Sequence, residues 1–267
     1  MKLKPPPLPR ALNPRPQKPG TTKKASPGEV AHEAGISVVD WVDERTSISP
    51  GLRWLMFRKI PRGTNWFYTL GSATMIAFLS QAVTGVFLAM YYVPDASGGA
   101  YDSIRHVTND VFLGEFVRGM HKWGSTVMVV FVFLHMARTF FFGAYKYPRE
   151  LNWVIGVVLL ILTLVMSFTG YLLPFDQRSY WASIVGLNIN GTGPLIGPYL
   201  SDFARAGPDF TATTLSRFYS IHMLLVPGAL AAMIGAHLYL VAKLGTTAPP
   251  WISARRREVA EKDVATV

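Results

Sequence analysis

Four apolar stretches constrain this chain more than any other feature of its sequence. They lie at residues 67–93, 121–143, 153–173 and 218–242. Each is long enough to supply the roughly 20 residues with which an α-helix crosses about 30 Å of hydrocarbon. Inside lipid every backbone N–H and C=O group needs a partner, and a helix provides those partners within one segment. The sequence therefore predicts an all-α membrane protein, a four-transmembrane-helix bundle.

Basic residues outside these stretches predict how the bundle is oriented. They concentrate in the region from Lys2 to Arg62, in the connection with Lys146 and Arg149, and in the tail with Arg255, Arg256 and Arg257. Four alternating helices place these regions on one side, which the positive-inside rule assigns to the cytoplasm. We therefore expect an integral protein of a bacterial plasma membrane, with both termini cytoplasmic and with exoplasmic loops at 94–118 and 174–215. The net charge of +10 reflects this asymmetry and the attraction of anionic headgroups, so no nucleic-acid partner is expected.

The parts of the chain outside the bundle differ in composition. Residues 1–27 hold eight prolines and seven lysines or arginines but no acid, a composition that buries too little apolar area to fold. We predict four parts: a disordered, basic, Pro-rich cytoplasmic arm at 1–35, an interfacial amphipathic segment at 36–62, the four-helix domain at 63–245 and a cytoplasmic tail at 246–267. The second part suits an interfacial helix, with a plain linker as the alternative. In the long second exoplasmic loop we expect short helices that cap the bundle.

Two of the apolar stretches carry a pair of histidines at almost the same separation. His135 stands at position i+14 relative to His121, and His237 stands at position i+15 relative to His222. On a helix these separations amount to about 21 and 22 Å, enough for two stacked haems with bis-histidine ligation. A buried structural histidine or a proton relay is the alternative for each one. The extra residue in the second pair turns one imidazole by about 100°, and Pro227 is expected to kink the helix and compensate.

Glycines and arginines near the same levels complete the predicted site. In the first stretch Gly85 follows Gly71 at position i+14, and in the third Gly170 follows Gly156 at the same spacing. Glycine in a membrane helix is often a plain packing residue, but this matched spacing gives room for two flat macrocycles. Haem propionates need cationic partners, with snorkelling to the headgroups as the alternative role for an arginine. The candidate partners are Arg118, Arg138 and Arg217.

Residues 66–243 resemble the N-terminal half of cytochrome b from quinol-oxidising bc and b6f complexes. The resemblance rests on Gln81 to Met90 (QAVTGVFLAM), Arg118 to Arg138 (RGMHKWGSTVMVVFVFLHMAR), Tyr147 to Gly156 (YPRELNWVIG), Gly170 to Trp181 (GYLLPFDQRSYW) and Arg217 to His222 (RFYSIH). Asp40 to Arg45 (DWVDER) is similar to the surface helix that precedes the first span in that family. The longer histidine step in the fourth stretch and the end of the chain after four spans are similar to the short, split b6 type.

The resemblance implies a dihaem cytochrome b subunit of a quinol:cytochrome c (or other acceptor) oxidoreductase. Electrons would cross the membrane between exoplasmic quinol oxidation and cytoplasmic quinone reduction, with proton translocation in a Q cycle. His121 would pair with His222 at an exoplasmic-side haem b, and His135 with His237 at a cytoplasmic-side haem b; the alternating topology gives the same pairing. The implied partners are a separate C-terminal cytochrome b subunit (subunit IV-like, with Pro-Glu-Trp-Tyr), a Rieske iron–sulfur protein, a c-type cytochrome, the lipid bilayer and a second copy of the complex in a dimer.

Part of a quinol pocket is expected where the third span ends, because an aromatic cleft bounded by proline suits a flat quinone ring. Simple packing of helix ends is the alternative. The candidate residues are Tyr171, Pro174, Phe175, Tyr180, Trp181, Ala182 and Val185. The b6 type tethers an extra haem to a cysteine where this chain has Thr69, and the chain has no cysteine. We therefore expect two non-covalent haems b and no covalently tethered third haem.

Two other functions fit the same histidines. One is a dihaem membrane anchor that passes electrons between quinone and a peripheral dehydrogenase; the loop sequence GYLLPFDQ argues against it. The other is a transporter that uses the histidines as a proton relay.

Overall fold

The computed structural model describes residues 26, 38, 40–46, 48–49, 60–61 and 63–252, and the chain divides into two compact units, Met1–Arg58 and Lys59–Val267. In the first unit, residues 40–46 are helical. Arg45 donates to the carbonyl of Trp41 at 2.7 Å, and its guanidinium lies 4.2 Å from the centre of the Trp41 ring. This helix falls within the predicted interfacial segment. The predicted disordered arm, except Ser26, and the predicted tail beyond residue 252 lie outside the described residues.

The second unit is helical, and the described residues form no strand. A short 3-10 turn, Trp66–Thr69, leads into the first helix. The helices are α1 (Leu70–Ala89), α2 (Gly99–Asn109), α3 (Gly114–Phe141), α4 (Glu150–Leu172), α5 (Gln177–Gly191), α6 (Gly197–Arg205), α7 (Ala212–Ser220) and α8 (Val226–Leu244). A π-helical segment, Ile221–Leu225, joins α7 to α8 without a break. The predicted all-α class is confirmed.

Four helical segments of the described chain are long and apolar enough to cross a membrane. They are Trp66–Ala89, Gly114–Phe141, Glu150–Leu172 and Ala212–Leu244. Each contains most of one predicted apolar stretch, which confirms the four-helix membrane fold. The second and fourth segments begin six or seven residues earlier than the apolar stretches, because helical hydrogen bonding continues past the apolar part into residues such as Glu115 and Ser216.

The membrane helices pack in two pairs that matter for the site. α1 packs along α3, and α4 packs along α8. α3 also contacts α4, which joins the two pairs. Each helix that carries matched glycines is therefore packed along a helix that carries matched histidines.

The two ends of the bundle are built differently. At one end, here called the loop end (residues 90–113 and 173–211), the predicted short loop helices are present as α5 and α6, and α2 lies in the other loop. A buried cluster fills this end: Ala100, Leu172, Leu187, Leu215 and Phe218. At the other end, here called the terminal end (residues 63–69, 142–149 and 245–252), Arg149 donates to the carbonyls of Leu244 at 3.2 Å and Gly245 at 3.3 Å. That contact ties the start of α4 to the end of α8.

The extra residue between His222 and His237 is accommodated by the π-helical segment. Val226 donates its N–H to the carbonyl of Ile221, five residues back, whereas an α-helix uses the carbonyl four residues back. A π turn holds one residue more than an α turn, so it restores the alignment that the longer step would lose. Pro227, from which we expected the compensation, follows directly as the second residue of α8.

Candidate cofactor-binding site

The four membrane histidines meet in two pairs, one at each end of the bundle. His121 on α3 faces His222 in the π segment, with ring centroids 6.3 Å apart and ring planes at 76°. His135 on α3 faces His237 on α8, with centroids 6.4 Å apart and planes at 80°. The pairs join different helices, which is the arrangement that the predicted ligation requires.

The separation of the paired rings fits an iron ion held between them. A metal–imidazole bond is about 2.0–2.1 Å long in zinc sites, so two such bonds in line account for about 4 Å of the separation between the ring centres. The remainder of about 2 Å corresponds to the two distances from a ring centre to its nitrogen. Among the described residues, no three His, Cys, Asp or Glu side chains form a metal cluster. A bare zinc site takes three or four protein ligands, whereas two imidazoles would be enough to hold a haem, whose macrocycle supplies the other ligands.

One glycine lies against each histidine ring. A Cβ atom built on Gly71 would be 3.1 Å from Cε1 of His135, and one on Gly85 would be 3.2 Å from Cε1 of His121. A Cβ on Gly170 would overlap the ring of His222, whereas one on Gly156 would lie at 3.9 Å from His237. Gly71, Gly85 and Gly170 therefore make room for the imidazoles themselves, in addition to the room for macrocycles that the spacing predicts.

Hydrogen bonds at the loop end determine which nitrogen of each ring is available to a metal. The Thr84 hydroxyl donates to the carbonyl of Ser80 at 2.6 Å, and its oxygen lies 2.9 Å from Nδ1 of His121. Since the hydroxyl proton is already used, the threonine oxygen accepts from an Nδ1–H group. Nε2 of His121 then keeps its lone pair for a metal ion.

His222 is fixed in the same way by the backbone of α4. Its Nδ1 lies 3.0 Å from the carbonyl of Met166 and 3.3 Å from the hydroxyl oxygen of Thr169. A carbonyl only accepts hydrogen bonds, so Nδ1 of His222 carries the proton. The ring is buried, and its Nε2 is the atom that remains for iron.

The terminal end has fewer polar partners for its histidines. Nδ1 of His237 is buried and has no partner within hydrogen-bonding geometry among the described residues, although the backbone of Asn152 lies nearby. Two buried side-chain oxygens here, Oδ1 of Asn152 and Oγ1 of Thr247, also lack a partner in that part of the chain. The buried polar atoms named here are therefore less completely hydrogen-bonded than Nδ1 of the loop-end histidines.

The three candidate arginines lie in different surroundings. Nε and Nη2 of Arg138 are buried without hydrogen-bond partners in the described chain, and its guanidinium lies 3.7 Å from the centre of the Tyr68 ring. A buried cation with unpaired N–H groups is costly unless an anion accepts from it, and a haem propionate is such an anion. Arg118 is half-buried on α3, one turn from His121. Arg217 donates to the carbonyl of Phe203 on α6 at 2.6 Å, so part of its donor capacity serves loop packing.

The predicted quinol-pocket residues lie at the end of α4 and the start of α5. Tyr180 is their centre: its ring makes edge-to-face contacts with Phe175 at 5.9 Å, with Trp181 at 5.2 Å and with Phe210, which we did not predict, at 4.8 Å. Pro174 is half-buried beside Phe175, and Ala182 is exposed. Three members are largely uncovered: Tyr171 is 48% exposed, Trp181 61% and Val185 55%. One side of this aromatic group is therefore open.

Tyr92 fastens the loop end next to this group. Its hydroxyl donates to the carbonyl of Leu173 at 2.7 Å, and its ring stacks on Tyr219 at 5.2 Å. Burial, with a smaller contribution from Tyr219, raises the pKa of Tyr92 well above its ordinary value. The hydroxyl therefore stays protonated and keeps donating to the end of α4.

Several residues of the site were not predicted from the sequence. Thr84 and Thr169, which contact the loop-end histidines, each directly precede a predicted glycine, so a repeated Thr-Gly pair was the available signal. Gln81 reaches from α1 to α3, where its amide donates to the carbonyl of His121 at 2.9 Å and accepts from the N–H of Ser125 at 3.3 Å. A Cβ atom at position 124 would overlap this amide, so Gly124 makes the contact possible.

Comparisons with known proteins agree with this architecture. Residues 56–245 match the protein family described as cytochrome b/b6/petB. The chain is 41% identical over 220 residues to the menaquinol:cytochrome c reductase cytochrome b subunit of Bacillus subtilis (strain 168), covering 79% of this chain and 98% of that protein. It is 42% identical over 216 residues to cytochrome b6 of Heliobacterium modesticaldum (strain ATCC 51547 / Ice1), covering 79% of this chain and 100% of that protein.

A solved structure has a similar fold. A chain of the structure named Hyperthermophilic respiratory Complex III aligns with a TM-score of 0.72 and 28% sequence identity. The alignment covers 85% of this chain and 64% of that chain. The present chain therefore spans nearly the whole length of the two relatives above, and just under two thirds of the solved chain.

Proposed function

The chain belongs to the cytochrome b/b6 family, and we propose that it is the dihaem cytochrome b subunit of a quinol:cytochrome c, or other acceptor, oxidoreductase. In this role it carries electrons across the membrane between exoplasmic quinol oxidation and cytoplasmic quinone reduction, with proton translocation in a Q cycle. The observation that carries the proposal is the opposition of two histidines at each of two levels, 6.3 and 6.4 Å apart. The haems, when bound, supply one-electron carriers.

The residues of this chain hold and orient those groups. His121 and His222 would be the ligands on the exoplasmic side, and His135 and His237 those on the cytoplasmic side. The Nδ1 contacts of the loop-end pair would leave both Nε2 atoms available to the haem iron. Arg138, whose buried N–H groups lack partners in the described chain, would hold a propionate of the cytoplasmic-side haem. Arg118 and Arg217 are the corresponding candidates on the other side.

We propose two non-covalent haems b and no tethered third one. The position where the b6 type has its cysteine is Thr69, whose hydroxyl donates to the carbonyl of Trp66 at 2.7 Å. Threonine has no thiol, so this position lacks the group that a cysteine would use for a covalent link.

The open aromatic group at the loop end supports a quinol site completed by a partner. We propose that Tyr171, Trp181 and Val185, which are about half exposed or more, line it together with a separate C-terminal cytochrome b subunit that carries Pro-Glu-Trp-Tyr. A Rieske protein and a c-type cytochrome would accept the electrons in a dimeric complex. The B. subtilis relative is named for menaquinol and cytochrome c, so these are the substrate and acceptor to test first.

A reduced-minus-oxidised spectrum of membranes containing the chain tests the proposal. We expect a b-type haem band that loses one of its two components in His121→Leu. His106→Leu is the matched control, because His106 pairs with Asp110 at the surface at 2.9 Å and should leave both components unchanged. Absence of any b-type band from the wild-type chain would refute both the subunit and the membrane-anchor hypotheses and would favour a proton relay.

The partner proposal has its own test. The complex is purified by a tag on this chain, and the co-purifying subunits are sequenced. We expect a subunit with further spans and Pro-Glu-Trp-Tyr. An intact, quinol-oxidising complex without such a subunit would contradict the proposal, and co-purification of a dehydrogenase alone would favour the anchor.

A further inference from the structure

The two histidine levels differ in the groups that contact Nδ1. At the loop end, Nδ1 of His121 meets the hydroxyl of Thr84 at 2.9 Å. Nδ1 of His222 meets the hydroxyl of Thr169 at 3.3 Å as well as a backbone carbonyl at 3.0 Å. At the terminal end, Nδ1 of His237 has no partner within hydrogen-bonding geometry among the described residues.

The residues that directly precede the four matched glycines differ between the two levels in the same way. Threonine precedes both loop-end glycines, as Thr84 before Gly85 and Thr169 before Gly170. Aliphatic residues precede both terminal-end glycines, as Leu70 before Gly71 and Ile155 before Gly156. Because the matched positions stand at i and i+14 on each of these two helices, each threonine occupies the place where the other level has an aliphatic side chain.

The backbone carbonyls stand at equivalent sequence positions, although only the loop-end carbonyl lies within hydrogen-bonding geometry of Nδ1. Met166, whose carbonyl contacts His222, lies four residues before Gly170. Asn152, whose backbone lies near His237, lies four residues before Gly156. The hydroxyl groups are therefore the side-chain feature that separates the two levels.

Each hydroxyl is oriented to accept from the histidine. Thr84 donates to the carbonyl of Ser80 at 2.6 Å, and Thr169 donates to the carbonyl of Val165 at 2.9 Å. Both threonines are buried, so water does not compete freely for their oxygens. Their remaining lone pairs face the Nδ1–H groups.

We propose that Thr84 and Thr169 are positioning residues whose hydroxyls make the loop-end haem harder to reduce. The proposal rests on the proposed function, since it requires a haem at each level. A hydroxyl that accepts from Nδ1–H fixes the ring tautomer and raises the basicity of Nε2. A more basic ligand stabilises ferric over ferrous iron, so the reduction potential of that haem falls. Thr84 carries more of the effect, because its contact is shorter and is not shared with a carbonyl.

Redox titration of the b-type absorbance in the assembled complex tests this proposal. The loop-end haem is identified as the component lost in His121→Leu. Thr84→Val keeps the shape of the side chain but removes its hydroxyl. In this variant we expect the ferric-to-ferrous ratio of the loop-end haem at a fixed potential to fall about tenfold, the lower end of the effects of outer-shell partners. For a one-electron couple this is an upward shift of about 59 mV. The terminal-end component should not move.

Three comparisons separate this role from a general packing effect. Thr84→Ser keeps the hydroxyl and should keep the wild-type potential. Thr163→Val is the matched control, because Thr163 is equally buried on α4 and donates to the carbonyl of Leu159 at 2.8 Å, with no histidine contact among its hydrogen bonds in the described chain. Thr169→Val should shift the same component as Thr84→Val, by less.

Equal potentials in Thr84→Val and the wild type, or an equal shift in Thr163→Val, would overturn the proposal. If Thr84→Val loses the loop-end haem, retention of that haem by Thr84→Ser supports the hydroxyl role, and its loss from both variants overturns it. A wild-type chain without haem would instead refute the proposed function, so the two failures are distinguishable.

Discussion

The contact between a glycine backbone and an imidazole ring is the residue-scale feature that places the histidines. At Gly71, Gly85 and Gly170, a Cβ atom would lie closer to a histidine ring than ordinary contact distance. The available space differs between the four matched glycines. There is no room for a Cβ atom on Gly170 beside the His222 ring, whereas a Cβ atom on Gly156 would lie at ordinary contact distance from the His237 ring.

This difference gives a matched pair of alanine substitutions. Gly170→Ala should displace His222 and lose the loop-end haem, at an overpacking cost of about 1–3 kcal/mol in stability. Gly156→Ala should lose less haem than Gly170→Ala, because its methyl group would lie 3.9 Å from the His237 ring. Haem-to-protein ratios of the purified variants measure the outcome. Equal haem loss in both variants would show that the glycine contacts do not control ligation.

Arg138 gives a second residue-scale prediction. Its buried Nε and Nη2 atoms lack partners in the described chain, so we expect a propionate to accept from them. Arg138→Gln should weaken retention of the terminal-end haem by about 10–100-fold, as for other outer-shell partners. It should also lower the potential of that haem, because a positive charge favours the ferrous state.

Arg205→Gln is the control for this change, since Arg205 donates to Asn188 and to the carbonyl of Pro208 at the loop end and is not a candidate propionate partner. Haem dissociation measured by transfer to apomyoglobin, together with redox titration, gives the comparison. An Arg138→Gln variant whose terminal-end haem is held and reduced as in the wild type would assign the guanidinium to packing against Tyr68 alone.

Spacing predicted which residues share a level, and it did not predict which atoms touch. The sequence alone placed His121, His135 and the matched glycines at two heights, because height follows from residue number on a helix. The contacts of Thr84 and Gln81 depend on how far each helix is rotated about its axis against its neighbour. That rotation is set by packing in the assembled bundle, where Gly124 admits the Gln81 amide.

At the scale of elements, the π-helical segment Ile221–Leu225 corrects the alignment of the last membrane helix. The histidines stand at i and i+14 on α3 but at i and i+15 on the last membrane helix, yet both pairs close to nearly the same ring separation. A regular α-helix would rotate one imidazole by about 100° for the added residue. The π turn therefore accounts for the match.

Deleting one residue inside the π segment tests this account. Removal of Leu224, which is 78% exposed, should convert the segment to regular α-helix with the same histidine step as α3 and should retain both haems. Removal of Ala232, within regular α8, is the control; it should turn His237 away from His135 and lose the terminal-end haem. If the Leu224 deletion loses a haem while the Ala232 deletion keeps both, the π turn is not the compensating element.

Helix ends were harder to predict than helix centres. The apolar stretches located all four membrane helices, but the second begins at Gly114 and the fourth at Ala212, well outside the apolar residues. Hydropathy reports the part that can face lipid, whereas a helix continues until its backbone groups find other partners. At α7 that boundary is a capping box between Thr211 and Thr214, a local signal independent of hydropathy.

At the scale of the whole molecule, the loop helix α5 exposes large apolar side chains. It buries Ser179, Ser183 and Leu187, while Trp181, Val185 and Ile189 stay more than half exposed. Large apolar residues on the outer side depart from the usual arrangement of a surface helix. Such a surface needs a cover of lipid or protein, which is consistent with the proposed partner subunit at this end.

The orientation of the whole bundle rests on the positive-inside rule and is directly testable. The sequence contains no cysteine, so each single-cysteine variant reports on one position without background. Leu195 at the loop end is 91% exposed, and Tyr147 at the terminal end is 86% exposed. A membrane-impermeant maleimide applied to spheroplasts should label Leu195→Cys, and it should label Tyr147→Cys only after permeabilisation.

The opposite labelling pattern would place the loop end in the cytoplasm and move the proposed quinol oxidation to the other face. Labelling of both variants in sealed spheroplasts would contradict the placement of the two ends on opposite sides of the membrane. The expected pattern matters for function because the proton balance of a Q cycle depends on which face oxidises quinol. With the loop end outside, oxidation beside Tyr180 releases protons away from the cytoplasm, and the His135–His237 level lies on the side where quinone takes protons up.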